Sequence, residues 1–109
     1  GPTPAGLFVQ NSAVEQANQV TVSWRTNVET GVASYQVFYA GKKHGNYKPV
    51  EATVTAPKGN NSAYSVSFPK PTKAAKFFVK VRAVMTDGTD QWSGPMKVGK
   101  NARVAELDD

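Results

Sequence analysis

The feature that most constrains this chain is a period of two. Val20, Val22 and Trp24 alternate with Thr21 and Ser23, and Tyr35, Val37 and Tyr39 alternate with Gln36 and Phe38. The same pattern returns at Val50, Ala52 and Val54, at Tyr64, Val66 and Phe68, and at Phe77, Val79, Val81 and Ala83. Successive side chains on a strand point to opposite faces, so each run predicts a strand with one buried face. No run repeats near 3.6 residues, the period an amphipathic helix requires. The runs are rich in β-branched and aromatic residues, which fit a pleated, half-buried surface.

Turn-forming clusters separate the runs: Glu29-Thr30-Gly31, Gly41 to Asn46, Pro57 to Asn61 and Asp87-Gly88-Thr89-Asp90. Pro69-Lys70-Pro71 stops the strand before it, because proline cannot donate to a ladder. With a first strand near Leu7–Val9 and a last from about Gln91 to Val98, the pattern predicts seven short strands. One buried face per strand requires two sheets packed face to face, an antiparallel β-sandwich. The domain is expected over residues 4–98. Gly1-Pro2 reads as the scar of a cleaved tag within a linker over residues 1–3, and residues 99–109 read as a linker or tail.

At 109 residues the chain suits one core, and 39% hydrophobic with 19% charged residues suits a globular domain. No stretch approaches the roughly 18 consecutive apolar residues of a membrane span, so no membrane insertion is expected. The absence of cysteine removes thiol catalysis, cysteine zinc sites and disulfides together. Lys and Arg number 13 against 8 Asp and Glu, for a net charge of +5. Between Lys42 and Arg82 lie nine basic residues and a single acid, Glu51. Such a body attracts polyanions; Lys70, Lys73 and Lys76 are the candidate contacts, and an acidic glycan is the anionic partner considered. Lys76, Phe78, Lys80 and Arg82 interleave charge with an aromatic ring as a base-stacking groove would, but the stripe is short and nucleic acid is set aside.

Catalytic chemistry finds little material. His44 stands alone between Lys43 and Gly45 in a loop, with no nucleophile-elbow pattern to serve. Carboxylate pairs for glycoside hydrolysis would have to come from Glu15, Glu29, Glu51, Asp87 and Asp90. Asp87 and Asp90 flank a tight turn, where aspartate caps its own backbone. No cofactor or metal is expected. Asn60-Asn61-Ser62 forms a glycosylation sequon in a loop.

In order and spacing these segments resemble a fibronectin type III domain. Val20-Thr21-Val22-Ser23-Trp24 resembles that family's second strand with its core tryptophan, and Tyr35-Gln36-Val37-Phe38-Tyr39 its third. Phe77 to Val84 resembles the sixth strand, and Gly88 followed by Trp92-Ser93-Gly94-Pro95 the final hairpin. Two positions depart from the pattern. Phe77 stands where the family places the tyrosine of its corner, and the Phe68–Phe77 connection is longer and carries Pro69 and Pro71.

The resemblance implies a non-catalytic module of a larger secreted or cell-surface protein. Such a module spaces neighbouring domains of the same chain or presents a surface to a protein or glycan. Alternatives are an accessory module of a bacterial polysaccharide-degrading enzyme, a ligand-binding receptor ectodomain and, from another class, a small hydrolase. Trp24, Tyr35, Tyr39 and Phe77 are expected as core anchors. On the opposite parity Phe38, Phe78, Lys80 and Arg82 point outward and, with Trp92, form a candidate binding patch. Trp92-Ser93 resembles half of the tryptophan–arginine ladder of cytokine-receptor relatives.

Overall fold

The computed structural model of the protein describes residues 6–99. The expected linker over residues 1–3 and, apart from Gly99, the expected tail over residues 99–109 lie outside the described residues; Gly99 itself ends the last strand. Among the described residues eight strands form: β1 (Phe8–Gln16), β2 (Gln19–Thr26), β3 (Val32–Ala40), β4 (Lys48–Pro49), β5 (Ala63–Pro69), β6 (Lys76–Met85), β7 (Asp90–Trp92) and β8 (Met96–Gly99). They make two antiparallel sheets, one ordered β1-β2-β5 and the other β4-β3-β6-β7, with β8 also pairing β6.

The alternation is what joins the sheets. Register places Val20 opposite Phe68, Val22 opposite Val66 and Trp24 opposite Tyr64, so one face of the first sheet is apolar. In the second sheet Tyr35 lies opposite Ala83, Val37 opposite Val81 and Phe77 opposite Val98. Most of these side chains are buried between the sheets, and each large one contributes about 1.5–3 kcal/mol of transfer free energy. Trp24 stacks on Tyr64 at 5.2 Å between ring centroids, and Tyr35 tilts against both. The outer face of the first sheet is a polar seam, with Thr21 bonded to Ser67 at 2.8 Å and Ser23 to Ser65 at 3.2 Å.

Three segments differ from the sequence expectation. The strand expected over Val50–Val54 is instead the two-residue β4 followed by a single 3-10 turn, Glu51–Thr53. Thr53 decides this: its hydroxyl donates to the Val50 carbonyl at 2.6 Å and accepts the Val37 amide at 2.9 Å. The polar residue of the alternation is therefore the buried one, and Val54 is left 63% exposed. The first strand runs through Gln16 rather than stopping at Val9. Past an irregularity between Phe8 and Gln10 it turns Asn11, Ala13 and Glu15 toward the interior and Val14 outward. Its hairpin turns at Ala17 and Asn18, both at positive φ, the mirror-type turn that matches strand twist. The last strand is broken into β7 and β8 at Ser93. The Ser93 amide donates to the Val81 carbonyl and its hydroxyl accepts the Val81 amide, both at 2.8 Å, so the ladder continues through a side chain.

Candidate functional site on the outer face of the five-stranded sheet

The inward set of β6 fixes the outward one. With Phe77, Val79, Val81 and Ala83 wholly buried, Lys76, Phe78, Lys80, Arg82 and Val84 have the opposite parity. On the neighbouring strands Phe38 lies opposite Lys80, Trp92 opposite Arg82, and Lys97 opposite Phe78. The outer face of this sheet is thus aromatic and cationic, where that of the first sheet carries a seam of hydroxyls beside exposed Val14 and Arg25.

These side chains form a connected cluster. Trp92 meets Phe38 edge-on at 4.9 Å and 73°. The Arg82 guanidinium lies 5.8 Å from each of these two rings, and one of its nitrogens donates to both Asp90 carboxylate oxygens at 3.0 Å. The Lys80 ammonium sits 4.5 Å above the Tyr47 ring and 5.9 Å from that of Trp92. Cation–ring contacts of this kind contribute about 0.5–1 kcal/mol at exposed sites and more when desolvated. Tyr47 donates its hydroxyl to the Lys43 carbonyl at 2.7 Å, which pins the loop ring in place, and burial pushes its phenol pKa up. Between Tyr47 and Trp92 lies an open cleft of about 400 Å³, lined by Gly45, Asn46, Tyr47, Lys80 and Trp92.

The predicted patch is only partly brought together. Trp92 is 42% exposed, but Phe38 is buried to 9% even though it faces outward. Phe78 is half-buried farther along β6, opposite Lys97. Among the proposed polyanion contacts Lys73 and Lys76 are exposed, whereas Lys70 turns the other way and pairs with Glu15 at 3.7 Å. That ion pair takes Lys70 out of any shared basic surface. Of the expected anchors, Trp24, Tyr35 and Phe77 are enclosed, while Tyr39 is half-buried at the margin of the core. Tyr47 and Asn46 were missed because a loop has no period to read; an aromatic beside a glycine turn was the available signal.

A second polar cluster holds the loops at one end of the sandwich. Glu29 is buried, accepting hydrogen bonds from Tyr35 at 2.5 Å, from Tyr64 at 2.7 Å and from the Gly59 amide. Its own amide donates to Asn60 Oδ1 at 2.8 Å, so the sequon asparagine is tied into the same knot. Burial pushes the Glu29 carboxyl up, but the bonds from Tyr35, Tyr64 and the backbone outweigh it and hold the carboxyl below its ordinary range. A general acid needs the reverse shift. Among the described residues no three His, Asp or Glu side chains gather as a metal site would require, and no helix is long and apolar enough to cross a membrane.

No protein-family model and no curated protein matches the chain. Solved structures do. An Fn3-like protein from Clostridium thermocellum is 21% identical, with a TM-score of 0.58 over 85% of this chain and 90% of that one. OgpA from Akkermansia muciniphila matches at 9% identity and a TM-score of 0.64, over 83% of this chain and 27% of its own. Pectate lyase PelI from Erwinia chrysanthemi, solved in complex with tetragalacturonic acid, matches at 13% identity and 0.58, over 82% of this chain and 28% of its own. This chain thus spans little more than a quarter of either enzyme. Two antiparallel sheets, the register of their cores and these likenesses together give the fold: it is a fibronectin type III-like β-sandwich.

Proposed function

We propose that this domain is a non-catalytic module of a larger secreted or cell-surface protein, and that it engages its partner through the outer face of the five-stranded sheet. The observation that carries this is the contrast between the two outer faces: one a hydroxyl seam, the other an aromatic–cationic cluster with Trp92 open to solvent beside a cleft. Exposed aromatics set among cations are what binding surfaces use, because they give large contact area at low entropic cost.

A more specific reading is an accessory module of a glycan-acting enzyme. It is supported by the likeness of this chain to about a quarter of OgpA and of the pectate lyase PelI. Fold alone does not carry function, so the surface has to be tested. Amide NMR spectra of the isolated module and of the module joined to its natural neighbouring domains should differ at Lys80, Arg82 and Trp92. Changes confined to the chain ends would make the module a plain spacer. Turnover of model ester or glycoside substrates by the isolated module would overturn the non-catalytic reading.

A further inference from the structure

We infer that the cleft between Tyr47 and Trp92 is a subsite for an acidic saccharide, a uronic-acid pyranose whose carboxylate pairs with Lys80. This rests on the outer face being the interaction surface and gives that surface a ligand class.

Charge is the first argument. Arg82 is already neutralised by Asp90, and Lys70 by Glu15. Among the described residues no carboxylate reaches Lys80, although it lines the cleft between two rings. Lys76 and Lys97 share the face and also pair with no described carboxylate, so the local potential is positive. An ammonium held against aromatic rings is partly stripped of water, which strengthens its attraction for an arriving anion.

Shape is the second. The cleft of about 400 Å³ lies within the roughly 300–1,000 Å³ range of small-ligand sites. A pyranose offers one flat face of C–H groups, slightly positive, to the negative π-face of an indole or phenol. Its rim of hydroxyls suits the Asn46 amide, which both donates and accepts. An acidic peptide supplies the carboxylate without that flat rim-hydroxylated face, and a phosphate backbone would follow the lysines along the face, of which only Lys80 lines the cleft. The bond from Tyr47 to Lys43 fixes the ring before the ligand arrives, lowering the entropic cost of binding.

The test is calorimetric titration with a uronic-acid tetrasaccharide, its carboxyl-reduced neutral counterpart, a sulfated neutral tetrasaccharide and oligoglutamate, with NMR to locate the contact. The uronic-acid probe should bind about tenfold or more tightly than the neutral one, as a charge-assisted bond implies. It should shift Tyr47, Lys80 and the Trp92 indole, and leave the Trp24 indole unmoved. Lys80→Gln should abolish the preference for acid while neutral binding persists; Tyr47→Ala should weaken both by about tenfold. Thermal melts of both variants establish that they fold. Equal affinity for acidic and neutral sugars, tighter binding of the sulfated probe or of oligoglutamate, or no effect of Lys80→Gln overturns the assignment. If no saccharide binds while the face still responds to a neighbouring domain, the sugar falls and the interaction surface stands. Silence toward both removes both.

Discussion

Glu29 shows how one residue can tie a loop region to pH. Two phenols and two backbone amides hold its carboxyl below the ordinary value against the opposing pull of burial. A depressed pKa adds stability above the unfolded-state value of about 4.3, and that stability is lost as pH falls through the folded value. The acid limb of a denaturation curve should therefore flatten in Glu29→Gln, which at neutral pH should cost about 1–3 kcal/mol by weakening bonds to buried phenols. Tyr35 behaves oppositely. Burial, then its bond to Glu29, raises its phenol pKa far above the ordinary value, so its contribution is complete below about pH 10 and lost as pH rises beyond it. Phe77 is a simpler case. It is wholly enclosed, and Phe77→Tyr would place a hydroxyl among apolar side chains, so a denaturant melt should show a loss of about 1–3 kcal/mol. A clear gain would mean that the corner hydrogen bond of the related sandwiches can still form here.

At the scale of the element, β2, β3, β5 and β6 were legible because their apolar residues alternate and the fold buries those residues. The 3-10 turn at Glu51–Thr53 was not, because a threonine hydroxyl that satisfies the Val37 amide outweighed the apolar Val50 and Val54. β1 hid its length for a related reason: Asn11 and Glu15 face inward, and an edge strand carries no strict apolar period. The parity of β6 did reveal Lys80 and Arg82 as outward residues, and Trp92 followed from its turn. The Tyr47 wall of the cleft depends on a loop path that no local pattern encodes. The break between β7 and β8 gives a prediction of its own. Ser93→Ala removes the acceptor of the buried Val81 amide, so stability should fall by about 1–3 kcal/mol and the Val81 amide should exchange faster. Unchanged exchange at Val81 would show that the ladder does not rely on the Ser93 hydroxyl.

At the scale of the whole molecule, two sheets share one core, and the five-stranded sheet carries the aromatic–cationic cluster on its outer face. Trp24 anchors that core, and Trp24→Ala should cost about 3–5 kcal/mol, a large share of the 5–15 kcal/mol or so that holds a domain together. Among the described residues Lys70 is withdrawn from the basic surface by Glu15, and the remaining lysines of the outer face are exposed or half-buried. Retention on heparin should therefore be weak and vanish at modest salt, since exposed charges are screened over about 8 Å at physiological ionic strength. The proposed division between an inert core and an interaction face is tested most directly by the two indole N–H signals in an NMR spectrum. Trp24 is 1% exposed and Trp92 42%. On the proposed reading, the module joined to neighbouring domains of its parent chain should keep a slowly exchanging, unmoved Trp24 signal and show a displaced Trp92 signal. A Trp92 signal that stays in place both beside the neighbouring domains and on titration with the uronic-acid tetrasaccharide, or a Trp24 signal that exchanges freely with water, would contradict the account.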